Sequence, residues 1–150
     1  MLKFFKLFAF SLLLQASAGA AELGTAPEAI AMVNKALAYL AENGRDKTLA
    51  EVNNKTGIFV DRDLYVVAHD MKGVVLANAV LPRMVGKDLS ETRDVDGKYF
   101  MRERLAILAK APSGWIEFKW PNSVTQKVDV RSVYFARAGD IVFTCGIVKK

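Results

Sequence analysis

Apolar residues recur along this chain with two different periods. Ile30, Val33, Leu37 and Leu40 return every three or four positions, the spacing of one helical face. Thr25-Ala26-Pro27-Glu28 stands before them in the form of a capping box, and Asn43-Gly44 supplies a stop. A shorter helix is expected over residues 47–53, with Leu49 and Val52 inward. From Ile58 the pattern turns to β-branched runs: 58–60, 64–69 and 74–79, the last two joined by the turn Asp70-Met71-Lys72-Gly73. Residues 82–94 lack a clean period and read as a loop with one short helical turn. Asp96 is expected to cap a helix in which Met101, Leu105 and Leu108 share a face, ending before Pro112-Ser113-Gly114. Three strands follow, over 115–120, 127–137 and 141–148. This order predicts an α+β fold, with helices set beside or inserted into a five-stranded antiparallel sheet.

The first twenty residues have another character. Lys3 and Lys6 form a basic start, residues 7–14 are apolar, and Ala16-Ser17-Ala18 and Ala18-Gly19-Ala20 offer small-x-small cleavage patterns. The apolar run is short of the roughly 20 residues of a spanning helix. Residues 1–20 therefore read as a cleaved export signal. The expected product is a periplasmic protein with no membrane insertion after cleavage, and no cysteine near the cleavage point suggests a lipid anchor. The rest is the size of one domain. Without Lys3 and Lys6, the 21 basic and 16 acidic residues leave a charge of about +3. The basic residues are scattered, so nucleic acid is not an expected partner.

Candidate chemistry is sparse. Cys145, the only cysteine, lies in the apolar run 141–148 and reads as a small buried side chain. His69 is the only histidine, so a zinc site is not expected, and strand parity puts it on one face with Tyr65 and Val67. Its reading stays open between a satisfied core histidine and a pocket hydrogen-bonder. Asp94, Asp96, Gly97 and Glu103 occupy four positions of a calcium loop, but Thr92 stands where the first carboxylate belongs, so a turn is preferred. Asp61-Arg62-Asp63 reads as a charged turn entering the next strand. No nucleophile triad or phosphate loop is present, and neither a cofactor nor an enzyme activity is expected.

The functional lead is residues 114–134, which hold both tryptophans, a Pro-Asn turn and a return strand carrying Arg131. Aromatic rings beside a fixed cation suit a pocket for a small organic anion. Parity pairs Phe118 with Trp120 and turns Trp115 to the other face; one set is expected to pack on the first helix and the other to line a concave surface. Arg131 and Tyr134 are three apart, so both reach one pocket only through a bulge or strong twist.

Several blocks resemble a known family. Residues 63–70 (Asp-Leu-Tyr-Val-Val-Ala-His-Asp), 73–78 (Gly-Val-Val-Leu-Ala-Asn) and 81–89 (Leu-Pro-Arg-Met-Val-Gly-Lys-Asp-Leu) are similar to successive blocks of the single Cache domain, type 2. Residues 94–98, 114–122, Val133-Tyr134 and the closing Gly-Asp…Cys-Gly-Ile-Val continue the resemblance in order, over residues 26–148. It implies a PAS-like fold, with a long N-terminal helix on one face of a five-stranded antiparallel sheet and a ligand pocket on the other. It also implies extracytoplasmic sensing of small molecules, often short-chain carboxylates, in signal transduction such as chemotaxis. Because such receptors carry signalling domains after the sensor, a stand-alone module would act through a separate membrane receptor or histidine kinase.

The sequence departs from the family at several positions. His69 stands where a tyrosine is usual, Asn78 replaces the histidine of an Ala-His-Pro motif, and Phe118 replaces a tyrosine. Arg131 stands for a lysine and Val148 for a closing tyrosine. The expected site is therefore a carboxylate of acetate to lactate size held by Arg131, against the rings of Trp115, Phe118 and Trp120, with Tyr134, His69 and Asn78 as hydrogen-bonding groups. The alternative is a ligand-free interaction module whose pocket has collapsed around His69 and Phe118, docking a membrane kinase, chemoreceptor or transporter.

Overall fold

A computed structural model of the protein describes residues 22–122 and 125–149; the export signal read over residues 1–20 lies outside the described residues. Helix α1 (Ala26–Asn43) opens on its expected cap, where the Glu28 carboxylate accepts the Thr25 amide and hydroxyl, both at 2.8 Å. Arg62 meets the same carboxylate at 2.5 Å, so the charged turn at residues 61–63 is tied to the start of the helix. Gly44, with φ of 79°, ends α1 and begins α2 (Arg45–Val52) slightly earlier than the pattern suggests. The stripe that α1 buries is Ala29, Val33 and Ala36, while Met32, Leu37 and Leu40 flank it. Small side chains on the contact line let the helix come close to the sheet, so the bulkier residues of the apolar pattern sit at its margins.

Six strands form one antiparallel sheet: β1 (Val60–Asp61), β2 (Leu64–Asp70), β3 (Val75–Asn78), β4 (Ser113–Pro121), β5 (Val128–Ala138) and β6 (Ile141–Val148). The order is β1-β2-β6-β5-β4, and β3 also pairs with β2. Because β1 takes Leu64 and Tyr65 while β3 takes Val67 to His69, the two share one edge of β2. Six strands thus occupy the five places expected. Between β2 and β3 the chain turns at Gly73, φ 96°, where Asp70 Oδ1 accepts the amides of Lys72 and Val74.

The expected short helical turn is a 3-10 turn at Pro82–Met84. Helix α3 (Phe100–Leu108) begins at Phe100, with Tyr99 rather than Asp96 before it. The cause lies in Asp94, whose carboxylate accepts the amides of Asp96, Lys98 and Lys119. That pins residues 94–98 against the outer edge of β4, and the chain becomes helical only after clearing it. The same three bonds give the calcium-like loop its structural use, as protection for an otherwise bare strand edge.

Two apolar clusters lie on opposite faces of the sheet. Phe59, Leu64, Val66, Ala136, Phe143 and Cys145 pack under α1 and α2, and Met101, Leu108, Ile116, Val133 and Phe135 pack under α3. Phe59, Phe135 and Phe143 are fully enclosed, each contributing about 1.5–3 kcal/mol relative to exposure. Cys145 is a small core side chain whose thiol burial pushes up to about 12. The β4–β5 pairing runs without a bulge from Ser113↔Ala136 to Pro121↔Val128, so parity alone assigns each hairpin side chain to a face. Gly114 faces Phe135 across this pair, and a methyl group there would meet Ile107 Cγ2 at 2.8 Å and Phe135 Cζ at 3.0 Å. Gly114→Ala is therefore expected to cost about 1–3 kcal/mol by overpacking. An unchanged urea midpoint would show that α3 yields freely at this contact.

Candidate ligand-binding site

The face of the sheet turned away from α1 carries Tyr65 and Val67 of β2, Arg131 and Val133 of β5, and Thr144 of β6, and these form one wall of a cavity of about 480 Å³. Leu81, Met84 and Leu89 of the loop after β3 face them, and α3 closes one end with Phe100 and Arg104. Phe100 stacks on Phe118 at 4.4 Å between ring centroids, and Trp120 meets both rings edge-on. An apolar cavity with a few fixed polar groups is the usual form of a small-molecule site. A more open cleft of about 510 Å³ adjoins it, with Arg83, Trp120, Pro121 and Asn122 common to the two. Its arginines, Arg83 and Arg93, are exposed, so it lacks the desolvated donors found in the inner cavity.

Four of the residues singled out from the sequence line this cavity: Asn78, Phe118, Trp120 and Arg131. Asn78 uses its Oδ1 for the amides of Val80 and Leu81, which fixes the loop and leaves the amide nitrogen to donate. Arg131 has no hydrogen bond or ion pair among the described residues. Trp115 and Tyr134 are placed elsewhere. They are register partners on the α1 face, with ring centroids 5.2 Å apart, and pack against the cluster under that helix. The unbroken β4–β5 register is the reason, since no bulge brings Tyr134 round to the side of Arg131.

His69 is 1% exposed and is not among the residues that line the cavity. Its Nδ1 donates to the Asp70 carbonyl at 2.7 Å, and Nε2 meets no partner among the described residues. Burial first, then the positive charge of Arg104, hold the imidazole down to about 3. The side chain is thus neutral at ordinary pH, with one unpaired acceptor nitrogen.

Arg104 was absent from the sequence reading. It is 5% exposed, its guanidinium carbon lies 5.7 Å from the centroid of the Phe135 ring, and its Nε–H has no partner among the described residues. No carboxylate pairs with it there. Burial alone lowers its pKa to about 10, so the group stays charged at neutral pH. A buried cation without a counter-charge is expensive and uncommon outside functional sites. The signal was available in the helical pattern: Arg104 sits three after Met101 and four before Leu108, on the buried stripe itself.

The geometry agrees with what the comparisons with known proteins find. The Single Cache domain 2 family model matches residues 20–140. The chain belongs to that family. Three solved structures share the Cache fold with it at low sequence identity. A methyl-accepting chemotaxis protein from Vibrio parahaemolyticus RIMD 2210633 is 22% identical, with a TM-score of 0.66 over 81% of this chain and 86% of that one. A periplasmic sensor domain of a chemotaxis protein is 18% identical, with a TM-score of 0.64 over 83% and 90%. A Cache chemosensory domain solved for the basis of its carboxylic acid recognition is 17% identical, with a TM-score of 0.63 over 83% and 88%. Comparison with curated proteins finds no match. Cache domains are extracytoplasmic sensor modules, and among the described residues of this one no helix is long and apolar enough to cross a membrane.

The buried histidine gives the Cache domain a definite acid response. An unfolded chain protonates His69 near pH 6.5, the folded one only near pH 3. Between these values the unfolded state holds more protons, so stability falls as pH drops, by up to about 1.4 kcal/mol per unit. Above pH 6.5 both states are neutral at this residue and the effect vanishes. His69→Gln is expected to lose less urea stability than the parent between pH 7 and pH 5. Equal losses in the two proteins would show that His69 titrates normally in the fold.

Proposed function

We propose that this Cache domain is a periplasmic sensor module, delivered by the export signal at residues 1–20, that binds a small organic anion in the cavity between its sheet and α3 and acts in signal transduction. The observation that carries the reading is Arg104, a buried cation facing the cavity with no carboxylate partner among the described residues. A ligand carboxylate would supply the missing counter-charge through charge-assisted hydrogen bonds, which are stronger than neutral ones. Arg131 adds a second cation, and Asn78 and Thr144 add neutral hydrogen-bonding groups. The carboxylic acid recognition of one structural relative is consistent with this chemistry. The open cavity favours a ligand over the interaction module, which needs a pocket collapsed around His69 and Phe118.

The reading predicts opposite effects on stability and on binding. Replacing Arg104 with methionine removes an uncompensated buried charge and keeps an apolar, flexible chain of similar length. Arg104→Met should raise the stability of the ligand-free protein by about 1–3 kcal/mol, by analogy with buried ion pairs replaced by apolar groups. It should also abolish the rise in melting temperature that organic acids give the parent by mass action. A variant that melts no higher and still responds to acids would exclude Arg104 as the anion's anchor.

A further inference from the structure

Among the described residues the cavity holds two cations that are neither exposed nor partnered, and they are anchored at different positions along β5. Arg104 lies over the Phe135 ring, and Arg131 is four residues before Phe135 on the same face of β5, with Val133 between them. Four strand residues at roughly 3.4 Å each separate the backbone positions of Arg131 and Phe135 by about 14 Å along β5. Strand β2 repeats the division: the Arg104 charge is felt at His69 and the Arg131 charge at Tyr65, four residues apart on one face. Between these positions the sheet carries Val67 and Val133, with the polar Asn78 and Thr144 paired beside Val67, and Leu81 and Met84 add apolar surface to the lining. Asp63 also reaches the cavity, but its Oδ1 is engaged by the Gly24 amide at 2.7 Å.

We infer that the cognate ligand is an organic acid with an anionic group at each end of an apolar spacer, one carboxylate on Arg104 and the other on Arg131. This rests on the reading of the cavity as the ligand site and goes beyond it in ligand class. A two- or three-carbon monocarboxylate reaches one cation only, and it leaves most of a 480 Å³ space unfilled. An elongated diacid engages both guanidinium groups and covers the apolar wall with its methylenes, burying a further CH₂ at each step of chain length.

Isothermal titration of the mature protein with two matched series tests this: succinate, adipate, pimelate and suberate against butyrate, hexanoate, heptanoate and octanoate. The diacids should bind more tightly as they lengthen up to the span of the cavity, and the best of them at least about tenfold tighter than the monoacid of equal carbon number. Arg131→Gln should remove that advantage, bringing each diacid to the affinity of its matched monoacid, and Arg131→Lys should restore part of it. Arg131 is only partly buried, so both variants should fold, and unchanged melting temperatures without ligand would verify it. Monoacids binding as tightly as diacids of the same length would overturn the two-ended ligand and leave the anion-sensor reading standing. If no acid of either series binds, both readings fall.

Discussion

The unbroken register between β4 and β5 governs this molecule. For nine consecutive pairs, from Ser113↔Ala136 to Pro121↔Val128, no residue is inserted on either strand. Side chains therefore alternate without exception between the α1 face and the cavity face. Trp115 and Tyr134 go to the helix, and Phe118, Trp120 and Arg131 go to the cavity. One inserted residue would exchange these sets, exposing the helix-side core and removing the cation from the pocket. The tie between Asp94 and the Lys119 amide protects this register at its open edge and sets where α3 can start. Register, helix position and cavity are thus one constraint seen at three places.

The second organising feature is the electrostatic strain placed inside that frame. Among the described residues, Arg104 gives up hydration without gaining a carboxylate, and His69 beside it is held neutral, with an unpaired nitrogen, by burial and by the same positive charge. Each is a cost to the ligand-free fold, borne by the apolar clusters on the two faces of the sheet. A site that is destabilised when empty and relieved by an anion has the coupling a sensor needs, since ligand affinity and folding stability then draw on the same interaction. Phe118 stands where the family resemblance implies a tyrosine, and its ring has a visible role. The ring stacks on Phe100 and closes the cavity wall by apolar contact instead of offering a hydroxyl to the ligand.

Much of this architecture was legible in the chain. The capping box at Thr25, the stop at Gly44, the turn at Gly73 and the alternation of the last three strands depend on local geometry, and they appear where the pattern places them. The separation of Trp115 from Phe118 and Trp120 followed from strand parity alone. The start of α3 was not legible, because Asp94 is engaged by an amide 25 residues away, and a local capping rule has no view of Lys119. Tyr134 is a hydrogen-bonding candidate for the pocket, yet its spacing from Arg131 turns it to the other face, and with no bulge in the strand the spacing decides its place. Arg104 carried a local signal, an arginine on a buried helical stripe, that resembled an ordinary surface residue until α3 was set on the sheet.

By itself the sequence determined the α+β class, the family and the division of the hairpin residues into two alternating sets, since all three depend on periodicity and on the order of short segments. Only the tertiary structure decided which charges have partners. Whether Arg104 is solvated, paired or stranded depends on what α3 packs against, and Phe135 and His69, which surround it, lie 31 and 35 positions away in the chain. Desolvation is a property of an enclosed volume, and no run of neighbouring residues encodes it.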